Sequence, residues 1–241
     1  YNRYNLISAE NLILPATTLA DSCYYWMFAS SSLKTAPDLP ATTLANWCYG
    51  FMFNGCYNLT KAPELPATTL ASKCYNTMFM RCRSLTKAPE LPATTLAYGC
   101  YSDMFNGCSS LTKAPDLQAT TLEDSCYYHM FTNCTSLTKA PELPATTLAN
   151  SCYEELFIGC SSLTKAPDLP AKTLANNCYH HMFGNCTSLT KAPDLPATTL
   201  AERCYYNMFI GCQKINYIKC LATDISATDC LTDWLDGTML L

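Results

Sequence analysis

A 26-residue period runs through almost the whole chain, and it restricts the fold more than any other feature of the sequence. Leu59, Leu85, Leu111, Leu137, Leu163 and Leu189 recur at that interval, with Leu33 before them and Ile215 after. One unit reads Leu59-Thr60-Lys61-Ala62-Pro63-Glu64-Leu65-Pro66-Ala67-Thr68-Thr69-Leu70-Ala71, followed by Cys74-Tyr75, Met78-Phe79 and Cys82, each set off by two variable residues. The constant apolar positions, Leu59, Ala62, Leu65, Leu70, Cys74, Met78, Phe79 and Cys82, are expected inside. So few apolar side chains cannot offset the entropy of ordering a whole unit, so a lone unit does not fold and neighbours must share one core.

Local conformation follows from spacing. Residues 59–65 form the best strand candidate, shortened by Pro63, which has no N–H for a ladder bond. In Leu70, Cys74 and Met78, with Tyr75, Phe79 and Cys82 alongside, apolar residues fall three and four apart, which predicts a helical turn over 74–79, with Thr68-Thr69 placed to cap it. The ends depart from the pattern as the ends of an array should. The first unit is one residue short between Cys23 and Leu33 and loses its second cysteine among Ser30, Ser31 and Ser32. In the last, Trp234-Leu235 replace Met-Phe, while Lys219 and Ala222 replace the prolines. The expected fold class is a repeat solenoid, a leucine-rich-repeat-like right-handed coil stack of about eight 26-residue units with short strands and short helical turns. It is read as one domain over 1–241, with a lead-in over 1–13, tandem repeats over 14–212 and a capping coil over 213–241.

The phrase Phe79-x-x-Cys82-x-x-Leu85, followed by Ala88-Pro89 and Leu91-Pro92 and repeated over about residues 14 to 235, resembles the BspA-like leucine-rich repeat family of bacterial surface proteins. This chain differs in its longer unit and in the second cysteine of Cys-Tyr. The resemblance implies an extracellular or cell-surface module without catalytic activity or cofactor, used in adhesion or in binding a protein or glycan ligand, and carried within a larger chain. A start at Tyr1 rather than methionine agrees with a larger chain.

Of the 17 cysteines, nine fall on a ladder from Cys23 to Cys230, seven on a ladder from Cys56 to Cys212, and Cys220 stands apart. Buried thiols packing as small hydrophobes are the favoured reading, with disulfides or a metal site as alternatives. The odd count leaves at least one cysteine unpaired if all bridges are internal. Tyr24, Tyr49, Tyr75, Tyr101, Tyr127, Tyr153, Tyr179 and Tyr205 form a further ladder, expected to stack with hydroxyls at a wet edge. Lys61 and its equivalents, with Glu64 and its equivalents, predict a solvated face of modest ion pairs.

Net charge is −4 and no basic patch stands out, so nucleic acid is not an expected partner. No run approaches the roughly 20 apolar residues of a membrane span, so no membrane insertion is expected. Function is expected where otherwise similar units differ. The window between Tyr and Met holds Tyr25-Trp26, Phe51, Tyr128-His129, Glu154-Glu155, His180-His181 and Tyr206, and the window before the first cysteine adds Trp47. Together these predict a continuous exposed stripe of residue types that dominate binding energy, weighed against simple drift of unconstrained positions. No nucleophile, base and orienting group fall together, so no catalytic or metal residues are assigned. The competing expectation is a structural spacer or fibre segment of a surface appendage or phage particle.

Overall fold

The computed structural model describes residues 5–239. Successive 26-residue units lie one on another in register, so that each residue sits beside its equivalents in the neighbouring coils. The two sides of a coil are built differently.

Residues 71–82 and their equivalents form an unbroken run of overlapping turns. Alternate amides bond locally: Cys74 N–H to the Ala71 carbonyl, Asn76 to Lys73, Met78 to Tyr75, Met80 to Thr77 and Cys82 to Phe79, at 3.0 to 3.3 Å. The intervening amides bond across to the next coil: Lys73 to Tyr98, Tyr75 to Cys100, Thr77 to Ser102, Phe79 to Met104 and Arg81 to Asn106, at 2.7 to 3.1 Å. Every fourth residue is left-handed, with φ of 53° at Lys73, 57° at Thr77 and 61° at Arg81, as the third residue of a type II turn requires. No described residue is α-helical, so the helical turn expected over 74–79 and its threonine cap are not formed. The apolar residues there repeat every four positions, which matches this turn spiral better than the roughly 3.6-residue helix.

The third left-handed position carries Gly55, Gly107, Gly159 and Gly211 in alternate coils, with Ser30, Arg81, Asn133 and Asn185 in the others, until Gly237 follows Gly211 in the last coil. A Cβ at Gly159 would collide with the Asn133 side-chain oxygen, so the alternation lets one coil's side chain lie over the next coil's bare backbone.

On the opposite side, Pro63 and Pro66 and their equivalents withhold two N–H groups in most units. The strand expected over 59–65 is reduced to single parallel bridges at the lysine position, such as Lys87 with Lys113 and Lys113 with Lys139. A second set runs through the threonines, as in Thr69 with Thr95 and Thr121 with Thr147. The lysine and acid ladders are sparsely paired among the described residues: Lys87 lies 4.0 Å from Glu90, and Lys219, at a proline position of the last coil, lies 3.2 Å from Asp194, both in solvent.

Between the two sides lies one continuous core. Leu59, Leu65, Cys74, Tyr75, Met78, Phe79, Cys82 and their equivalents in the internal coils are buried. Phenylalanine rings stack face to face from Phe28 to Phe209 at 5.5 to 5.8 Å. Tyrosine rings do the same from Tyr24 to Tyr205 at 5.7 to 6.1 Å. The tyrosine hydroxyls do not stand at a wet edge as expected: Tyr75 is 1% exposed, and its hydroxyl is buried without a hydrogen-bond partner.

All the cysteines are free, and every one is buried except Cys23 and Cys220. The second ladder has a specific role, since the thiols of Cys82, Cys108, Cys134, Cys160 and Cys186 each donate to the phenylalanine carbonyl of the preceding coil at 3.1 to 3.2 Å. Ser31 fills the missing first position, buried, with its hydroxyl 3.3 Å from Cys56 Sγ. Burial pushes the Cys108 and Cys160 thiols up to about 12, which keeps them protonated and unreactive.

Candidate binding surface

The variable windows fall in the turn run, at its left-handed residues and those just before them. Trp26, Phe51, Thr77, Asp103, His129, Glu155, His181 and Asn207 are equivalents and all have positive φ. Their side chains therefore leave the coil along one line, which the stacking repeats from coil to coil.

At the N-terminal end this line is aromatic. Tyr25 and Trp26 are 42% and 49% exposed, while Trp47 and Phe51 are half-buried behind them. The ring of Tyr25 lies 5.8 Å from Trp47 and 5.5 Å from Phe51, and Trp26 lies 5.6 Å from Phe51. Gly50 makes room for this cluster, because a Cβ there would come within 3.0 Å of the Tyr25 ring. Lys73 closes it off, its ammonium 4.7 Å from the Trp47 ring and 5.0 Å from Tyr98.

Beyond Lys73 the surface dips into a shallow cavity of about 290 Å³ lined by Asn76, Tyr98, Ser102, Asp103 and Tyr128. Asn76, Thr77 and Ser102 are buried here, so the stripe is not continuously exposed as expected. Their polar groups turn inward to backbone instead: Asn76 Nδ2 donates to the Ser102 carbonyl and Ser102 Oγ to the Ser125 carbonyl.

The next coils carry alternating acid and imidazole. His129 Nδ1 lies 3.5 Å from Asp103, and its Nε2 lies 3.0 Å from Glu155 Oε2, close enough for a charge pair though not aligned as a hydrogen bond. Glu155 Oε1 is in turn 3.7 Å from His181, and the neighbouring His180 pairs with Glu154 at 2.8 Å. Burial opposes charge on His129, but the contacts with Asp103 and Glu155 together outweigh it and push its pKa up to about 9. Contacts with His129 and His181 hold Glu155 well below the usual carboxylate range. Tyr128 stacks on His129 at 3.8 Å, and burial, then the carboxylates of Glu154, Glu155 and Asp103, raise its hydroxyl to about 12. Tyr206 ends the run edge-on to His180 at 5.2 Å.

The chain matches no family model, no curated protein and no solved structure.

The structure thus divides the expected site residues into two groups. Tyr25, Trp26, Trp47 and Phe51 form one aromatic cluster, and Tyr128, His129, Glu154, Glu155, His180, His181 and Tyr206 form a half-buried polar ladder that begins three coils further on. Asp103 and Lys73, which fall in the same two variable windows, complete these groups. Both stand at a whole number of periods from expected members, Asp103 26 residues before His129 and Lys73 26 after Trp47. An imidazolium held between two carboxylates is fixed as a cation rather than poised to exchange a proton near neutrality. Among the described residues, no group of three or more histidine, cysteine or acidic side chains is placed to hold a metal ion.

Proposed function

We propose that the protein is a solenoid binding module without catalytic activity that engages a protein or glycan ligand through the aromatic end of this surface. The observation that carries the reading is the contact cluster of Tyr25, Trp26, Trp47 and Phe51, in which two large rings stay in solvent on a rigid backing of two more. Rigid, partly exposed aromatic rings contribute much binding energy at little entropic cost. The cavity beside Lys73 adds hydroxyl and amide groups that can orient a polar ligand. The BspA-like resemblance of the Phe-x-x-Cys-x-x-Leu phrase supports an extracellular or cell-surface setting within a larger chain.

The test is binding of the chain to a panel of immobilised polysaccharides and cell-surface proteins, compared with a variant carrying Trp26→Ala, Trp47→Ala and Phe51→Ala together. Loss of at least tenfold in affinity, with an unchanged core by near-ultraviolet circular dichroism, is expected. Binding as tight as that of the unaltered chain would remove the cluster from the site.

A further inference from the structure

Two exposed positions of the proline-bearing segment keep their charge from coil to coil. The first holds Lys61, Lys87, Lys113, Lys139, Lys165 and Lys191 in six successive coils, and all six are exposed. The position three residues on is acidic in seven successive coils, as Glu64, Glu90 and Glu142 in three of them and aspartate in the other four, again exposed throughout. Exchange of aspartate with glutamate shows that the charge is kept while the length of the side chain is not. Coil stacking does not ask for this. The parallel bridges of Lys87 with Lys113 and of Lys113 with Lys139 hold like charges in register at roughly the 4.8 Å strand spacing, where they repel. Relief from within the chain is slight: among the described residues Lys87 is the only one of the six with an ion pair, to Glu90 at 4.0 Å.

The two lines of charge flank a trough. Its floor is made by buried side chains such as Ala166, Ala192 and Pro193, and it widens into cavities of about 430 Å³ between Lys165, Asp168, Lys191 and Asp194 and about 230 Å³ between Asp38, Lys61 and Glu64. Six lysines against seven carboxylates leave this face nearly neutral, with its charge sorted into one positive and one negative rail. A surface of that kind is complementary to itself in one orientation. When two copies meet face to face about a two-fold axis running along the stack, the lysine rail of each lies over the acid rail of the other. Turning one copy end for end instead sets lysine on lysine and acid on acid.

We propose that this face joins two copies of the chain side by side and parallel, lysine rail against acid rail. The contact is isologous, so Lys139 of one copy meets Glu142 of the other and the reverse, and it closes on itself as a dimer. A single exposed ion pair contributes little, but two such pairs for each of six coils act together, and each relieves repulsion within a rail. Complementary rails also fix the parallel orientation, because the reversed one meets like charge along its whole length. Salt screens the exposed charges and weakens the dimer. The turn runs lie on the other side of each coil, so the aromatic cluster stays open. This inference goes beyond the ligand-binding reading and does not depend on it.

The experiment compares the unaltered chain with two charge variants in sedimentation velocity at low and high ionic strength. One carries Lys113→Glu, Lys139→Glu and Lys165→Glu, the other Asp116→Lys, Glu142→Lys and Asp168→Lys. The unaltered chain is expected to dimerise at low ionic strength and to dissociate as salt is added. Each variant by itself should associate at least about a hundredfold more weakly, because six attractive contacts become repulsive. Mixed in equal amounts the two variants should pair with each other. A chain carrying both sets of changes, with its rails exchanged in three coils, should dimerise again. Zero-length coupling of amines to carboxylates in a mixture of isotope-labelled and unlabelled unaltered chain should join Lys139 of one copy to Glu142 of the other. A single copy of the unaltered chain at every concentration in low salt would overturn the proposal, as would a dimer unaffected by salt or by either variant. So would a single copy that takes up added polylysine or polyglutamate along the trough, which would make an extended polymer its occupant. Should a variant fail to fold, the salt dependence and the coupling pattern of the unaltered chain still decide the matter.

Discussion

The turn run over 71–82 and the proline-bearing segment over 59–70 lie in the same coil, bury the same kinds of side chain, and are held by different means. In the turn run every amide from Lys73 to Cys82 has a backbone partner, alternately within the coil and across to the next. In the segment over 59–70 the next coil is reached only at isolated positions such as Thr69 with Thr95, and two residues lack an N–H. The difference shows that coil stacking rests on a backbone ladder on one side and on Leu59, Ala62 and Leu65 packing against their equivalents on the other. The left-handed turns supply that ladder without a conventional sheet.

Four substitutions or conditions can break or sharpen this contrast, the largest effect first. Phe105→Ala removes a ring stacked on both sides and should cost about 3 to 5 kcal/mol in denaturant unfolding. Thr77→Pro removes the donor to Ser102 and imposes a negative φ where 57° is required, and should cost about 3 kcal/mol or more. A loss no greater than that of a surface substitution would mean the turn ladder is not what joins the coils.

The third effect is a pH dependence from the acid and imidazole ladder. His129 ordinarily titrates near 6.5 and is raised to about 9 in the fold, so its contribution is whole below pH 6.5 and is lost as pH rises through 9. Glu155, ordinarily near 4.5, is lowered by His129 and His181, so its contribution is present above pH 4.5 and is lost as acid protonates it. Thermal stability should therefore be greatest between pH 4.5 and 6.5, and His129→Gln should flatten the decline toward pH 9. An equal decline in the variant would assign the pH dependence elsewhere. The smallest effect is that of Pro63→Ala, expected to change stability by less than about 1 kcal/mol because no ladder bond runs through that position.

The sequence made the repeat and its interior legible. The 26-residue period singled out Leu59, Leu65, Cys74, Met78, Phe79 and Cys82, and each is buried. The conformation of 74–79 was not legible from apolar spacing, because a four-residue turn spiral and a helix diverge by only about 40° per step, too little to separate over so few residues. A separate signal was present at the third left-handed position, where Gly55, Gly107, Asn133, Gly159, Asn185 and Gly211 are residues that tolerate positive φ. The tyrosine hydroxyls were misplaced because a phenol normally seeks a partner, whereas ring stacking draws Tyr75 wholly inside. At the surface, the period applied to the variable positions singled out the aromatic cluster and His129, Glu154, Glu155, His180 and His181, whereas the pairing of each imidazole with a carboxylate of a neighbouring coil depends on side-chain geometry that residue type does not carry.

Residue-resolved hydrogen exchange on the middle coils tests the two-sided construction most directly. The account expects strong and nearly even protection for all amides over 99–108 and 125–134, with markedly faster exchange for most amides over 112–121 and 138–147 between them. Equal protection on the two sides, or protection of only alternate amides in the turn run, would contradict it.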